Sequence, residues 1–384
     1  MPDCMRRVNT EGIYPETNTL PKQPSPKGLA DTNVSKPLIK RVLENRLTFS
    51  LTLLFIIMLQ NVITTPTFFN ISITNGLLSG YIPIILDEAS KLVIVSLGMT
   101  LVTAVAGGQD ISVGSIMAIS AAFCGLLLNG PEYRTDVFHN PYGLALFAGL
   151  LGGAACGAFN GFLVAVLKIQ PMIASLILFT SGRSIAKLIT YSQTIYIMNP
   201  VYKYLGVQIP GIPIRTTIIV SFVMVVIVVL IVKLTSLGLN IESIGINSSA
   251  ARLVGINSTF IKFMTFVIFG VLAGVAGLVG SSSIGSVNSD ELGRYIEMDA
   301  ILAVALGGTL LGGGKFTLAG SIIGAYTIQA ITTTLYAMQV RSDSLYVFKA
   351  IIIIVIIIVS SEVFKDKVKM LSVRFGKKAV LDGG

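Results

Sequence analysis

Apolar runs of about 20 residues, the length an α-helix needs to cross a bilayer, recur along nearly the whole chain after residue 46. Inside hydrocarbon no water is present to bond stray amides, so each run has to satisfy its own backbone, and helices follow. Only 12% of the 384 residues are charged, well below the roughly 25% usual for soluble domains, and the mean hydropathy is +0.81. The fold class is therefore all-α integral membrane, a polytopic bundle of about ten transmembrane helices.

The spans are expected near 47–65, 88–106, 112–130, 142–166, 171–190, 214–233, 259–280, 299–312, 317–338 and 345–361. Residues 1–46 are rich in proline and polar residues with no apolar period, which reads as a disordered N-terminal tail. No short apolar core follows the start, so the tail is not a cleavable signal. Residues 47–361 form the transmembrane domain and 362–384 a basic tail. With both termini in the cytoplasm, the loops carrying Lys168, Lys233, Arg252, Lys262 and Lys315 also fall inside, as the positive-inside rule requires. Residues 70–85 (NISITNGLLSGYIPII) are apolar but broken by Gly76, Gly80 and Pro83, so a re-entrant or interfacial segment is expected there.

The net charge of +9 comes mostly from the two ends, and topology accounts for it without nucleic acid. Cys4, Cys124 and Cys156 are scattered and His139 is the only histidine, too little for a disulfide framework, a His-based metal site or a Ser-His-Asp triad. No cofactor is called for. GGTLLGGGKFT (307–317) looks like a phosphate loop, but it has Thr309 where GxxxxGK[ST] needs glycine and Phe316 after Lys315. The chain is therefore not expected to be an enzyme, and ATP-driven work falls to a partner.

Polar groups at membrane depth are costly and mark structure or pathway. Asp110, Arg183, Lys187, Asp299, Gln329 and Lys349 are of this kind. Asp110, in AVAGGQDISVGSIMAIS (104–120), precedes Ser112 at the start of a span and suits a structural turn that caps the next helix. Gly149, Gly153, Gly157 and Gly161 recur every fourth residue, and Gly270, Ala273, Gly274 and Gly277 repeat the device. Such stripes let two helix backbones approach closely, and Asn160 lies beside the first. Residues 234–257 are generous for a simple connector. Within them Ser249–Leu253 is expected to form a short helix with Arg252 outward, an apolar side of Ile244, Ala251 and Leu253, and a turn at Gly255.

LGMTLVTAVAGGQDISVGS (97–115), GAFNGFLVAVLKIQPMIASLILFTSGRSIAKLIT (157–190), IGINSSAARLVGIN (244–257) and EMDAILAVALGGTLLGGGKFTLAGSIIGA (297–325) together resemble the permease subunit of bacterial ABC importers for simple sugars. This is the family of the ribose-transporter permease, and the second stretch is most similar to the galactofuranose type. Gln109 and the Asn247–Ser248 pair depart from the family's usual apolar residue and glycine. The resemblance implies an ABC importer permease bundle in the bacterial inner membrane, surrounded by lipid. Its implied partners are ABC ATPase subunits, an extracytoplasmic sugar-binding protein, and a second permease copy or a sister permease.

On that reading the candidate substrate path carries Asp110, Asn160, Arg183, Asp299, Thr309 and Gln329. The ATPase-coupling loop carries Glu242, Ala250, Ala251, Arg252 and Gly255. Two other readings compete. An ion-coupled secondary transporter would use Asp110 and Asp299 as proton or cation sites, and an ABC permease for nucleosides or branched-chain amino acids would share the architecture. A channel lacks an identifiable filter.

Overall fold

The computed structural model describes residues 46–65, 68–74, 76–130, 132–341, 344–345, 347–352 and 354. Residues 1–45 of the expected N-terminal tail and the whole expected tail 362–384 lie outside them, whereas Arg46 already belongs to the first helix. In chain order the helices are α1 (Arg46–Thr64), α2 (Tyr81–Ala106), α3 (Val113–Asn129), α4 (Tyr142–Ala165), α5 (Pro171–Ile189), α6 (Pro200–Lys203), α7 (Thr216–Leu234), α8 (Leu237–Ile246), α9 (Ser248–Leu253), α10 (Ser258–Ile284), α11 (Ile296–Leu306) and α12 (Leu318–Ala337). Residues 347–352 are helical as well. Six helices, α2, α4, α5, α7, α10 and α12, are long and apolar enough to cross a membrane, which makes the protein a multi-pass membrane protein.

The 26-residue α2 is the centre of the bundle, buried from Leu92 to Val105 and packed by α7, α8, α10, α11 and α12. It starts seven residues before the expected span. Pro83 does not break it, because a proline in the first turn removes only an amide that would have no intrahelical partner. The segment 70–85 divides in two. It is a short hairpin, β1 (Ser72–Thr74) against β2 (Leu77–Ser79), followed by the start of α2, with Gly80 at φ +144° making the corner.

At one end of the bundle a three-stranded sheet ties three loops together. β4 (Ile195–Ile197) pairs parallel with β3 (Arg134–Thr135) and antiparallel with β5 (Ser286–Val287). Helices α3, α5 and α10 therefore all end at this face, and α3 runs from it to the opposite end, where Gly107 closes α2 in a left-handed turn.

The span expected at 299–312 is helical only as far as Leu306. α11 has 11 residues and stops at Gly307, so it is about 17 Å long at 1.5 Å per residue, roughly half of a bilayer core. The other half is filled by non-helical chain. Val287 packs on Gly125 near the end of α3, while Gly293 packs on Gly114 in its first turn. Residues 287–293 thus descend along α3 in turns before α11 begins.

The glycine stripe of α4 packs closely, against α10 at Gly153 and against α3 at Gly149. A Cβ at Gly153 would stand 2.6 Å from the Gly270 carbonyl oxygen, and one at Gly149 2.7 Å from the Ser120 carbonyl oxygen, so the backbones are in direct contact. Gly153→Leu should therefore destabilise the bundle by about 1–3 kcal/mol or more, whereas Gly143→Ala, with nothing within 4 Å of its Cβ, should change stability by less than about 1 kcal/mol. Thermal unfolding followed with a thiol-reactive dye checks this, since the free Cys124 is buried.

Candidate functional site

The sequence-predicted path residues fall into separate groups. Asp110 is fully buried. Its Oδ1 accepts the Ser112 amide at 2.8 Å and the Ser112 hydroxyl at 2.5 Å, and its Oδ2 accepts the Asn160 side-chain amide at 2.8 Å. Asn160 also donates to Ser112 Oγ at 2.9 Å, while its own Oδ1 has no partner among the described residues. The expected turn is there, with one correction: Ser112 precedes α3 but makes no side-chain cap, because its hydroxyl is committed to Asp110. The Asp110 carboxylate instead ties the α2–α3 turn to α4.

Arg183 organises a second group. Its guanidinium donates to four backbone carbonyls of the descending segment: Ser289 and Asp290 at 3.1 Å, Leu292 at 3.2 Å and Gly293 at 3.3 Å. Turns at membrane depth leave carbonyls without helical partners, and a planar fork of five donors is suited to collecting them. Glu297, 2% exposed on the first turn of α11, lies alongside, and a Cβ at Gly114 would be 3.0 Å from its Oε2 and 3.1 Å from Arg183 Nη2. Glu297 Oε2 has no partner among the described residues. Phe179, Arg183, Asp290, Arg294, Tyr295 and Glu297 line a cleft of about 340 Å³.

Asp299, also in the first turn of α11, is not part of either group. It accepts from Lys349 Nζ at 2.6 Å in a largely buried pair, which joins α11 to the last described helical residues. Thr309 is buried and accepts the Thr317 amide at 3.4 Å. Gln329 is half-buried on α12.

Around Thr309 the GGTLLGGGK loop meets the GGQD turn. The Gly314 amide donates to the Ala104 carbonyl at 2.9 Å, Gly313 and Gly314 have φ of +93° and +94°, and a Cβ at Gly107 would lie 2.8 Å from Gly312 O. Gly245 of α8 closes the junction, with Ala104 O and Gly314 as its nearest neighbours. Three backbones touch there with no side chain between them.

Three residues after Gly245 begins the loop helix. The connection is more structured than expected, since α8 precedes α9. Asn247 caps α9, its Oδ1 accepting the Ser249 and Ala250 amides at 3.0 Å each, and Gly255 turns the chain at φ +86°. Arg252 is exposed and donates to Ser258 Oγ at 2.6 Å; Ala250 is exposed and Glu242 half-buried. Ile244 and Ala251 are buried, but Leu253 is not on their side: it is 89% exposed, and Val254 is 75% exposed. The apolar tip points away from the bundle.

Two buried carboxylates escaped the sequence reading. Glu297 was passed over for its neighbour Asp299, although EMDA carries both. Asp87 was placed outside the span, yet on α2 it is buried, accepts from Thr217 Oγ1 and pairs with Arg215 at 3.0 Å. Helical spacing from Ser90 and Ile94 back to Asp87 was the available signal. At the sheet end, burial raises the Tyr202 phenol well above its ordinary range, so it stays neutral and shares a 2.7 Å hydrogen bond with Ser281 Oγ.

Residues 81–360 match the family described as "Branched-chain amino acid transport system / permease component". The galactofuranose transporter permease protein of Escherichia coli K12 is 33% identical over 317 residues, 82% of this chain and 90% of its own. The fructose import permease protein of Bifidobacterium longum is 34% identical over 351 residues, 89% of this chain and 94% of its own. The ribose import permease protein of E. coli K12 is 31% identical over 303 residues, 78% and 88% of the two chains. No solved structure matches.

Two outcomes follow from the geometry. Asp110→Ala should lower folded yield and thermal stability strongly, while Asp110→Asn should be milder, because Asn still accepts the Ser112 amide and Asn160 can flip its unpartnered Oδ1 toward the new amide. Arg183→Met should strip four carbonyls of their donor at on the order of 1 kcal/mol or more each, and Arg183→Lys should recover only part, since one ammonium lacks the fork. Thermal unfolding of the purified variants measures both series.

Proposed function

Since the chain belongs to the permease family of the branched-chain amino acid transport system type, we propose that it is the membrane subunit of an ATP-driven importer of a monosaccharide in the bacterial inner membrane. ATP hydrolysis belongs to a separate ATPase subunit. The observation that carries the sugar class is the extent of the likeness: relatives named for galactofuranose, fructose and ribose align over 78–89% of this chain. That favours sugar over the amino-acid substrate in the family's description.

The chain spans the bilayer ten times with both termini in the cytoplasm, α11 and the descending segment together making one crossing. It pairs with a second permease copy or a sister permease and receives sugar from an extracytoplasmic binding protein. α9 is the surface on which the ATPase acts. In support, α9 projects an apolar tip, Leu253 and Val254, flanked by Arg252, and apolar groups so presented are the mark of a docking contact. Its base is joined through α8 to the Gly107 and Gly314 turns, so displacement of the tip reaches the ends of α2 and α12 without an intervening side chain.

The ion-coupled alternative needs a carboxylate free to take up and release a cation. Asp110 is held by Ser112 and Asn160 and Asp299 by Lys349, which argues against both.

Uptake of labelled sugar by cells carrying the complete importer should disappear when the ATPase is lost and persist when the proton gradient is collapsed; the opposite pattern overturns the reading. Leu253→Asp should reduce copurification of the ATPase tenfold or more without altering the thermal stability of the permease, because the side chain makes little contact with its own chain.

A further inference from the structure

The cleft between α5 and the first turn of α11 is not explained by packing. Its lining carries two cations, Arg183 and Arg294, and two carboxylates, Asp290 and Glu297. Arg294 also pairs with Glu291 at 3.0 Å and Asp290 with Lys187 at 2.8 Å, so the charges are balanced and a bound ion would find no uncompensated partner. A neutral ligand rich in hydroxyls needs none, because it donates to carboxylates and accepts from guanidinium groups. Two rings, Phe179 and Tyr295, complete the lining, and Arg294 stacks on Tyr295 at 5.1 Å from the ring centroid. Apolar faces beside a few placed polar groups are what orient a small ligand, and about 340 Å³ falls within the range of small-molecule pockets.

A second observation points the same way. Glu297 lines this cleft although it is only 2% exposed, and its Oε2 has no hydrogen-bond partner among the described residues. A buried acceptor is not left unmade without a cost, and Arg183 beside it is already spent on four carbonyls. Approach is provided by α5, whose uncovered face carries Thr180, Ser181 and Ser184, hydroxyls on a helix at membrane depth.

We propose that this cleft is a contact site for a neutral monosaccharide within the permease, with Glu297 accepting sugar hydroxyls, Arg294 donating to them, and the Tyr295 and Phe179 rings against the C–H face. The proposal rests on the importer reading above and adds a site of recognition inside the membrane subunit, apart from the binding protein. Arg183 is a positioning residue here: it holds the 289–293 turns so that Arg294, Tyr295 and Glu297 face one space.

Saturation-transfer NMR on the permease–ATPase complex in lipid nanodiscs, without binding protein, tests it with D-galactose, D-fructose and D-ribose at millimolar concentration. At least one sugar should receive saturation at its C–H protons. The signal should fall fivefold or more in Glu297→Ala and in Tyr295→Ala, and should be unchanged in Asp136→Asn on the exposed outer loop. Glu297→Gln, which keeps an acceptor at the same place, should retain part of it. Copurification with the ATPase shows that each variant is folded. No signal from any of the three sugars in the wild type, or equal signals in the variants, overturns the site. Uptake measured in parallel separates the two failures. Uptake without a cleft signal removes only this inference, whereas uptake that persists after loss of the ATPase and stops when the proton gradient is collapsed removes the importer reading and this site with it.

Discussion

A backbone inside hydrocarbon must bond to itself or to protein, and the non-helical segment before α11 meets that demand through one side chain. Residues 287–293 leave α10 and pass along α3 in turns, and four of their carbonyls converge on the Arg183 guanidinium. Without that donor the descent would present unbonded acceptors at membrane depth. With it, α11 can begin beside the first turn of α3, and its own first turn brings Glu297 against Gly114 and Asp299 against Lys349. The short helix and the cleft both adjoin the turns that this arginine holds.

Glycine does the complementary work wherever two backbones have to touch. On the α4–α10 face Gly153 and Gly270 remove the side chains that would hold the helices apart, and dispersion between close backbones supplies cohesion where lipid offers no hydrophobic drive. At the opposite end from the sheet, Gly107, Gly245 and Gly313–Gly314 bring three loops together, with Gly314 bonded to Ala104. A joint made of backbone has no rotamers to absorb motion. The α8 end that leads into α9 therefore bears directly on the end of α2 and on the loop before α12.

Much of this was legible in the residues. Helical periodicity and length located α3, α4, α5, α7, α10 and α12 within a few residues, because a membrane span is a local property of composition. The Asp110 turn was legible as well, since Gly107 and Gly108 before a carboxylate and Ser112 form a local motif. The errors have a common cause. Pro83 and Gly80 read as breaks, although one stands in a first turn and the other just before it, and residues 299–312 read as a span, although Gly307 ends the helix early. Leu253 was assigned to an inner face from spacing alone, yet a six-residue helix can turn either side inward, and Asn247 fixed the one that leaves Leu253 outside.

The amino-acid sequence by itself determined that the chain lies in a membrane, that it is helical, which faces are lined by glycine, and to which family of permeases it belongs. Those properties are written in runs and motifs of neighbouring residues. Only the tertiary structure decided that Arg183 meets carbonyls more than 100 residues away, that Glu297 rather than Asp299 faces the cleft, and that Asp110 is bound to α4. Partners so distant in the chain are chosen by which helices pack together. No local pattern encodes that choice, because a buried charge shows that it needs a partner without showing which one it finds.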